Sequence, residues 1–329
     1  MRIGLVGAGR IGAWHAATLS HLPSVDEVLL ADPDPARVEL VAAQTGARPT
    51  RMADLLARAD GVAVASPTGT HAQLIRRVAG AGLPIFCEKP VAADVAETRA
   101  VLAHVAAAGV ALHVGFQRRF DPGFVAVREA VAADRLGTLH TIRACTSDAR
   151  PPSPEYLAHS GGIFRDCAVH DFDAIRWITG QEVVSVAAVG GNTGSVDFAR
   201  YSDVDTAIAV LTLSGGCLAS CTATRYNGAG YDVRLEACGQ YGTLVAGLDP
   251  HAPLPSAEPD VPGVAEPYQG FADRFRDAYA AELAAFVDVV RGERDAPCGG
   301  DDALAALVVA EAAERSRREH RTVAIKELA

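Results

Sequence analysis

Three acid–base side chains fall at helical spacing in the second half of the chain: Asp166, His170 and Asp173. Residues at positions i, i+4 and i+7 share one face of a helix. A histidine titrates near neutral pH, so such a face could move a proton to or from a bound molecule. The pattern also fits a solvated acidic stripe with a His–Asp pair, and spacing alone leaves both interpretations open.

Lysine is rare in this sequence. Lys89 and Lys326 are the only lysines among 30 basic residues, and all the others are arginines. A lysine kept in mid-chain can therefore indicate a site that needs a compact amine with a tunable pKa, although chance is the alternative. Pro90 follows directly and restrains the backbone, so the segment Glu88-Lys89-Pro90 would hold this amine at the end of a strand.

A glycine-rich turn near the N-terminus has the pattern of a dinucleotide-binding loop. Gly7, Gly9 and Gly12, with Arg10 and Ile11 between the last two, follow a predicted strand and begin a predicted helix. In this context the first glycine permits a tight turn, the second leaves room for a pyrophosphate, and the third lets helix and strand approach closely. The helix N-terminus adds free N–H groups. A glycine turn in some other doubly wound fold is the alternative.

Asp32 ends the second predicted strand. A carboxylate at this position would accept hydrogen bonds from the adenosine ribose and repel a 2′-phosphate, so the sequence predicts NAD as the cofactor, with NADP less favoured. Arg37 leaves use of both cofactors open.

Two further strand ends point to the same site, because ligands of open α/β sheets bind at the carboxyl ends of strands. Ser66, Pro67 and Thr68 follow one apolar strand, and Glu88 and Lys89 follow the next. His71 begins the helix after the first of these. It is either a cofactor contact or a polar surface residue.

The elements that must position these residues divide the chain in two. Regular alternation of apolar strands and helices predicts an α/β region, residues 1–118, with a Rossmann fold built on a doubly wound parallel sheet. For residues 119–329 the pattern predicts an α+β domain with a largely antiparallel open sheet, whose strands lie between 183 and 248. A helix over about 162–179 carries the acid–base face. A Pro-rich stretch at 249–267 precedes two final helices.

Composition excludes several classes of partner. A net charge of -10 and a pI near 5.5 provide no basic field for nucleic acid or for an anionic membrane. The N-terminus does not read as a signal peptide and no apolar run reaches transmembrane length, so we expect a cytoplasmic protein. The seven cysteines, of which Cys217 and Cys221 are the closest pair, include no CxxC motif. Reduced thiols are expected, without disulfides or zinc.

Motifs along almost the whole chain resemble the Gfo/Idh/MocA family of sugar-type oxidoreductases, and within it the inositol 2-dehydrogenase group. The matching motifs are GAGRIG at 7–12, SPTGTH at 66–71, EKP at 88–90, GFQRRFDPGF at 115–124, SGGIFRDCAVHDFD at 160–173, GYDVRLEACG at 230–239 and FRDAYAAELAAFVD at 275–288. EKP with the downstream DxxxH is specific for the family. The RRFDPGF and SGGxFxDxxxHDFD motifs suggest the inositol group.

This resemblance implies a set of catalytic residues, Lys89, Asp166 and His170, which would also contact the substrate. It implies further substrate contacts at Asp173 and Tyr231. By the same resemblance, the cofactor and the substrate would both lie near two residues of the RRFDPGF region, Gln117 and Arg118. It also implies a homo-oligomer, commonly a tetramer, paired through the exposed face of the antiparallel sheet.

The chemistry of these side chains agrees with the resemblance. His170 would remove the hydroxyl proton of a polyol or sugar as a hydride leaves the same carbon for the nicotinamide. Lys89 would donate a hydrogen bond to that oxygen and stabilise alkoxide character. Asp166 would hold the substrate or orient the lysine. No metal is needed, because Asp166 and His170 alone are too few ligands.

Two stretches depart from the family pattern, and both fall where a substrate would be recognised. The family often has an arginine and a proline flanking an aspartate where this chain has Ser147-Asp148-Ala149, and residues 226–231 are longer than the usual Tyr-Gly-Tyr. Three alternatives to an inositol dehydrogenase therefore stay open: an oxidoreductase of another sugar, an NAD-binding regulatory protein, and an NAD-using glycoside hydrolase.

Overall fold

The chain folds into two compact units, each with its own sheet. The computed structural model describes residues 1–261, 263–264 and 266–328. Unit 1 combines Met1–Gln117 with Tyr279–Leu304, and unit 2 combines Arg118–Ala278 with the chain from Ala305 onward. No helix in the described part of the chain is long and apolar enough to cross a membrane.

Unit 1 is built on a parallel sheet. Its six strands are β1 (Arg2–Val6), β2 (Glu27–Ala31), β3 (Arg48–Pro49), β4 (Gly61–Val64), β5 (Ile85–Glu88) and β6 (Leu112–Gly115). Their spatial order is β3-β2-β1-β4-β5-β6, with every neighbouring pair parallel. This is the strand order of a dinucleotide-binding Rossmann fold, in which the order reverses between β1 and β4. The predicted fold of the N-terminal region is confirmed.

Helices connect these strands and cover the sheet. They are α1 (Arg10–His21), α2 (Pro35–Thr45), α3 (Met52–Arg58), α4 (Thr68–Gly80) and α5 (Val95–Ala108). The strands are apolar at nearly every position because both of their faces are covered, and Ile3, Leu5 and Phe86 are fully buried. The start of α2 is fixed by Asp34, whose side chain accepts hydrogen bonds from the backbone N–H groups of Ala36 and Arg37.

One late segment returns to unit 1. Helix α10 (Arg276–Val290) places Phe286 against Phe86, with ring centroids 5.8 Å apart. Its approach to β4 is close, since a Cβ on Gly61 would lie 2.4 Å from Val290. The range 119–329 predicted for the second domain includes this segment, whereas the structure groups Tyr279–Leu304 with unit 1. The apolar face of α10 completes the core of the parallel sheet.

Unit 2 contains a seven-stranded sheet. Its strands are β7 (Leu139–Ser147), β8 (Val183–Gly191), β9 (Thr206–Leu213), β10 (Leu218–Thr224), β11 (Asp232–Gly239), β12 (Thr243–Ala246) and β13 (Val323–Ala324). The order is β12-β11-β7-β10-β9-β8-β13, and all pairs are antiparallel except β7 with β10. The predicted, largely antiparallel sheet is confirmed.

Helices pack on one face of this sheet: α6 (Pro122–Ala132) and α8 (Val169–Thr179) contact its strands, and Ser316 of α11 (Gly300–Glu319) bonds to β8. The unit also contains the short helices α7 (Pro154–Leu157) and α9 (Phe271–Arg274). Strand residues alternate between buried and exposed, so the opposite face carries exposed Ile208 and Val210. The Pro-rich stretch at 249–267 forms neither helix nor strand in its described residues, and positions 262 and 265 lie outside them.

Candidate active site

The glycine loop of unit 1 lies between β1 and α1. Gly7 has a φ of +113°, and a Cβ there would lie 2.5 Å from the Ala65 carbonyl oxygen. A Cβ on Gly12 would lie 2.0 Å from the Gly7 carbonyl oxygen, so α1 can start this close to β1 only with glycine at position 12. A Cβ on Gly9 would meet nothing within 4 Å. The loop therefore leaves open space at Gly9, in front of the N-terminus of α1, which suits a pyrophosphate.

Asp32, just after β2, is tied to the same loop. Its Oδ2 accepts a hydrogen bond from the backbone N–H of Ala8 at 2.7 Å, and its Oδ1 accepts one from Asp34 at 2.9 Å. These bonds orient the carboxylate and leave lone pairs for a ribose hydroxyl. Arg37 lies on the exposed surface of α2, where its guanidinium pairs with Asp34 at 3.1 Å.

His71 is buried, so the interpretation of it as a surface residue is wrong. Its Nδ1 lies 2.7 Å from the Pro90 carbonyl oxygen and its Nε2 lies 2.7 Å from the Ser66 carbonyl oxygen. Both ring nitrogens thus face the backbone, and the ring joins the loop after β4 to the loop after β5. In the first loop, the Ser66 hydroxyl also contacts the Thr70 hydroxyl at 2.7 Å, close to Pro67 and Thr68.

Lys89 follows β5 directly and is half-buried. Its neighbour Glu88 is buried and places Oε1 2.6 Å from the Nε2 of His15, a residue of α1. The end of β5 is therefore bonded to the helix that follows the glycine loop. The unit 1 residues predicted to bind a dinucleotide lie in the loops or helix starts that follow β1, β2, β4 and β5, apart from Gln117 and from Glu88, which is the last residue of β5.

In unit 2 the predicted helix over 162–179 begins differently from expectation. Residues Phe164–Ala168 form a π-helical turn, and the regular helix α8 starts at Val169. Turns of this kind are often found at functional sites because they redirect side chains. Asp166 lies in the π turn and His170 in the first turn of α8, and both side chains are half-buried.

Both carboxylate oxygens of Asp166 are held in place. The Tyr156 hydroxyl donates to Oδ1 at 2.8 Å, and the Arg225 guanidinium donates to Oδ2 at 2.8 Å. Burial, together with the Asp166 carboxylate, raises the pKa of Tyr156, so its hydroxyl stays protonated and remains a donor. Asp166 is therefore oriented by donors from α7 and from the end of β10.

The same guanidinium reaches a second carboxylate, since Arg225 donates to Asp148 Oδ2 at 2.9 Å. Arg225 is 3% exposed, whereas the side chain of Asp148 is 24% exposed. Burial raises the pKa of Asp148, an effect that Arg225 opposes and Asp166 reinforces. One buried cation thus bridges two carboxylates at this edge of the sheet.

Asp173 does not share an open face with Asp166 and His170. It is 1% exposed and pairs with Arg119, which donates from Nε at 2.9 Å and from Nη2 at 2.6 Å. The π turn changes the spacing between Asp166 and Asp173, whereas His170 and Asp173 lie three residues apart in the regular helix α8. Asp173 is thus engaged in a buried ion pair, and its role as a substrate contact stays a prediction.

Arg118, expected near cofactor and substrate, is also buried. Its Nη1 donates to Asp171 and its Nη2 donates to the Thr146 hydroxyl at 2.7 Å. Thr146 in turn donates to Asp171 at 2.8 Å, which closes a buried polar network between α8 and β7. The preceding residue, Gln117, is 3% exposed, and its Oε1 has no hydrogen-bond partner among the described residues.

Tyr231 precedes β11 at the edge of the sheet that also carries Asp148 and Arg225. It is 7% exposed, and burial raises the pKa of its hydroxyl. Within the described part of the chain this hydroxyl makes no hydrogen bond, so it can serve a bound molecule. Gly230, with a φ of +138°, sets the turn that brings Tyr231 to the edge.

Sequence reasoning missed the roles of Asp148, Tyr156 and Arg225. Asp148 and Arg225 follow β7 and β10, and these two strands pair in parallel with Ser147 opposite Thr224. Carboxyl ends of parallel strands meet at one edge, so the two residues had to be close. The only available signal was the charge that directly follows each strand. It had no meaning without knowledge of which strands pair.

Comparison with known proteins places these residues in a wider context. Residues 1–116 match the model of an oxidoreductase family with an NAD-binding Rossmann fold, and residues 124–245 match the model of the GFO/IDH/MocA C-terminal domain. Together the two matches include the glycine loop, Lys89, Asp166, His170 and the Arg225 region.

Full-length relatives are found among characterised and solved proteins. The chain is 38% identical to the myo-inositol dehydrogenase Hyg17 of Streptomyces leeuwenhoekii, over 96% of this chain and 97% of that protein. It is 37% identical to the inositol 2-dehydrogenase of Rhizobium meliloti (strain 1021), over 99% of both chains. It is similar to the crystal structure of scyllo-inositol dehydrogenase from Lactobacillus casei with bound NAD(H) and scyllo-inositol, with a TM-score of 0.89, 27% identity and 99% coverage of both chains.

Proposed function

Since the chain belongs to the GFO/IDH/MocA family of NAD-binding oxidoreductases, we propose that it oxidises a secondary hydroxyl of a cyclic polyol, myo-inositol or a related inositol, to a ketone. Bound NAD supplies the hydride acceptor. The names of the two full-length relatives and the scyllo-inositol in the similar crystal structure support an inositol as the substrate.

One observation on the residues themselves carries the proposal. The carboxyl edge of the unit 2 sheet gathers oxygen atoms around a single cation: Asp148 and Asp166 both bind Arg225, and the Tyr231 hydroxyl lies at the same edge. A polyol offers a hydroxyl donor at each ring carbon, so a row of acceptors suits it. An apolar substrate would leave these groups desolvated without partners.

Each catalytic role follows from the residue type and its surroundings. His170, in the first turn of α8, takes the hydroxyl proton, because an imidazole can accept a proton near neutral pH. Lys89 donates a hydrogen bond to the same oxygen and stabilises its developing negative charge. Asp166 cannot turn toward a new partner without losing Tyr156 or Arg225, so we assign it to orienting the substrate and not to moving the proton.

Cofactor contacts are proposed from the loops of unit 1. The open space at Gly9 and the N-terminus of α1 fit the pyrophosphate, with Gly7, Arg10, Ile11 and Gly12 forming the loop. Asp32 accepts from the adenosine ribose, and Arg37 stays available at the rim. The segment Ser66, Pro67 and Thr68, the pair Glu88 and Lys89, and Gln117 lie toward the nicotinamide, while His71 holds two of these loops together.

The first experiment measures NADH formation by purified protein with NAD and a panel of myo-inositol, scyllo-inositol, other inositols and aldoses. Lys89→Met and Lys326→Met remove the two lysines of the chain one at a time. Lys326 is exposed near the C-terminus, so its variant controls for loss of an amine. We expect Lys89→Met to lower kcat/KM on an inositol by about 10²- to 10⁴-fold and Lys326→Met to leave it unchanged.

Each other outcome selects a different function. Turnover of aldoses alone would retain the chemistry and replace the inositol by another sugar. Tight NAD binding without turnover of any polyol or sugar would favour a regulatory protein. Turnover of glycosides without net NADH would favour an NAD-using hydrolase.

A homo-oligomer, and a tetramer in particular, is also proposed. Exposed apolar side chains on the open face of the sheet support pairing through that face: Val189, Ile208, Val210, Leu218 and Val245. We further propose that the enzyme works in the cytoplasm, with which its seven free cysteines agree.

A further inference from the structure

Arg225 is bonded to both carboxylates of the unit 2 site. Its Nη1 donates to Asp148 and its Nη2 to Asp166, at 2.9 and 2.8 Å. The three residues come from separate parts of the chain: Asp148 follows β7, Asp166 lies in the π turn before α8, and Arg225 follows β10. A planar guanidinium can hold two acceptors at a fixed separation, which an ammonium cannot do.

The bonds to Asp166 define its orientation. Tyr156 holds one oxygen and Arg225 holds the other, so the plane of the carboxylate is set from two sides. The second carboxylate makes the arrangement more than a simple ion pair. Burial and the charge of Asp166 raise the pKa of Asp148, and the Arg225 guanidinium between the two carboxylates opposes that rise.

Arg225 itself is anchored independently of the two carboxylates. Its backbone N–H donates to the Asp205 carbonyl oxygen at 2.8 Å, which joins the end of β10 to the start of β9. Its side chain is 3% exposed, so it is shielded from bulk water and from direct contact with a large ligand. Arg225 therefore acts on the site through its neighbours.

We propose that Arg225 is a positioning residue, which holds Asp166 and Asp148 as one preoriented pair of acceptors for the hydroxyls of the substrate. This inference rests on the proposed function, because it assigns a task to Asp166 in that reaction. It adds a residue that neither touches the reacting atoms nor serves only to stabilise the fold.

The test compares two buried arginines of unit 2. Arg225→Gln removes the bridging cation. Arg274→Gln is the matched control, because Arg274 has a 7% exposed side chain and pairs with Asp121 at 2.6 Å. Both variants lose a buried ion pair, so both should lose stability, and only the first should lose catalysis.

For Arg225→Gln we expect kcat on the inositol substrate to fall about 10²-fold, the loss typical of a misplaced catalytic group. The KM for NAD should change by less than about twofold, because the cofactor loops belong to unit 1. Arg225→Lys should recover part of kcat, because it restores the charge without the fork. It also serves as the second variant if Arg225→Gln does not fold.

Two results would overturn the inference while the wild type turns over an inositol: full kcat in Arg225→Gln, or an equal fall in kcat in Arg274→Gln. A wild type without activity would instead contradict the proposed function. In that case the position of Asp166 in the crystal structure of R225Q, or of R225K if R225Q does not fold, tests the inference. Separation of Asp166 from the Tyr156 hydroxyl would support the inference, and an unmoved Asp166 would overturn it.

Discussion

The Oε1 atom of Glu88 lies 2.6 Å from the Nε2 atom of His15, in a hydrogen bond that joins the end of β5 to helix α1. His15 is fully buried, and its ring meets the ring of Phe86 edge-on, with the ring centroids 5.6 Å apart. The bond connects the helix that follows the glycine loop with the strand that ends next to Lys89. The two halves of the proposed cofactor site are therefore mechanically linked inside unit 1.

Replacing His15 by leucine should destabilise the protein. The variant leaves the buried Glu88 carboxylate without its donor, which costs about 1–3 kcal/mol. The free energy of unfolding in urea measures this loss. His21→Leu is the control, because His21 is exposed at the end of the same helix. Equal unfolding free energies of the two variants would show that the buried bond contributes nothing.

Two glycines of the loop should respond differently to alanine. Gly9→Ala adds a methyl group to open space, so it should leave the melting temperature unchanged and weaken NADH binding by about tenfold or more through contact with the pyrophosphate. Gly12→Ala forces its methyl group against the Gly7 carbonyl oxygen, so it should lower both the melting temperature and the affinity for NADH.

Fluorescence titration with NADH and thermal unfolding separate these effects. Gly80→Ala, at the end of α4, provides the control because its methyl group would also meet nothing within 4 Å. Unchanged NADH affinity in Gly9→Ala would place the pyrophosphate elsewhere.

The cofactor preference should depend on Asp32. Asp32→Asn keeps an oxygen that can accept from the Ala8 N–H but removes the negative charge that repels a 2′-phosphate. We expect the ratio of kcat/KM for NADP to that for NAD to rise on the order of tenfold, from the loss of one like-charge repulsion. Asp34→Asn is the control, since asparagine also caps a helix. A ratio unchanged in Asp32→Asn would exclude this carboxylate as the selector.

Charges on the open sheet face should break the assembly. Ile208→Lys combined with Val210→Lys places two ammonium groups on the same face of β9, and burying them between subunits would cost several kcal/mol. Light scattering after size exclusion should then report a smaller mass than that of the wild type. Leu40→Lys, on the exposed surface of α2, is the control. A mass equal to that of the wild type would place the subunit interface on another surface.

Local patterns predicted much of this protein. The parallel sheet followed from apolar strands between helices, and the glycine loop followed from its position between a strand and a helix. Both signals depend on neighbours a few residues apart, so the sequence carries them directly. The resemblance to the family rested on motifs of the same short range.

The predictions that failed were those that took the position of a side chain from local spacing, although packing decides it. The regular helix expected from 162 to 179 begins with a π turn that holds Asp166, and the side chain of Asp173 in α8 pairs with Arg119 inside the protein. His71 has the sequence context of a surface residue, yet its ring is buried between the two loops that it joins. In each case a partner distant in the sequence decided the position of the side chain.

By itself, the sequence determined the doubly wound parallel sheet of unit 1, the loop able to hold a dinucleotide, and the residue types available for proton transfer. Only the tertiary structure decided that Arg225 bridges Asp148 and Asp166, and that α10 returns to the first unit. The physical reason is that strand pairing brings together residues far apart in the chain. The parallel pairing of β7 with β10 places Ser147 beside Thr224, and the charges that follow them must then meet.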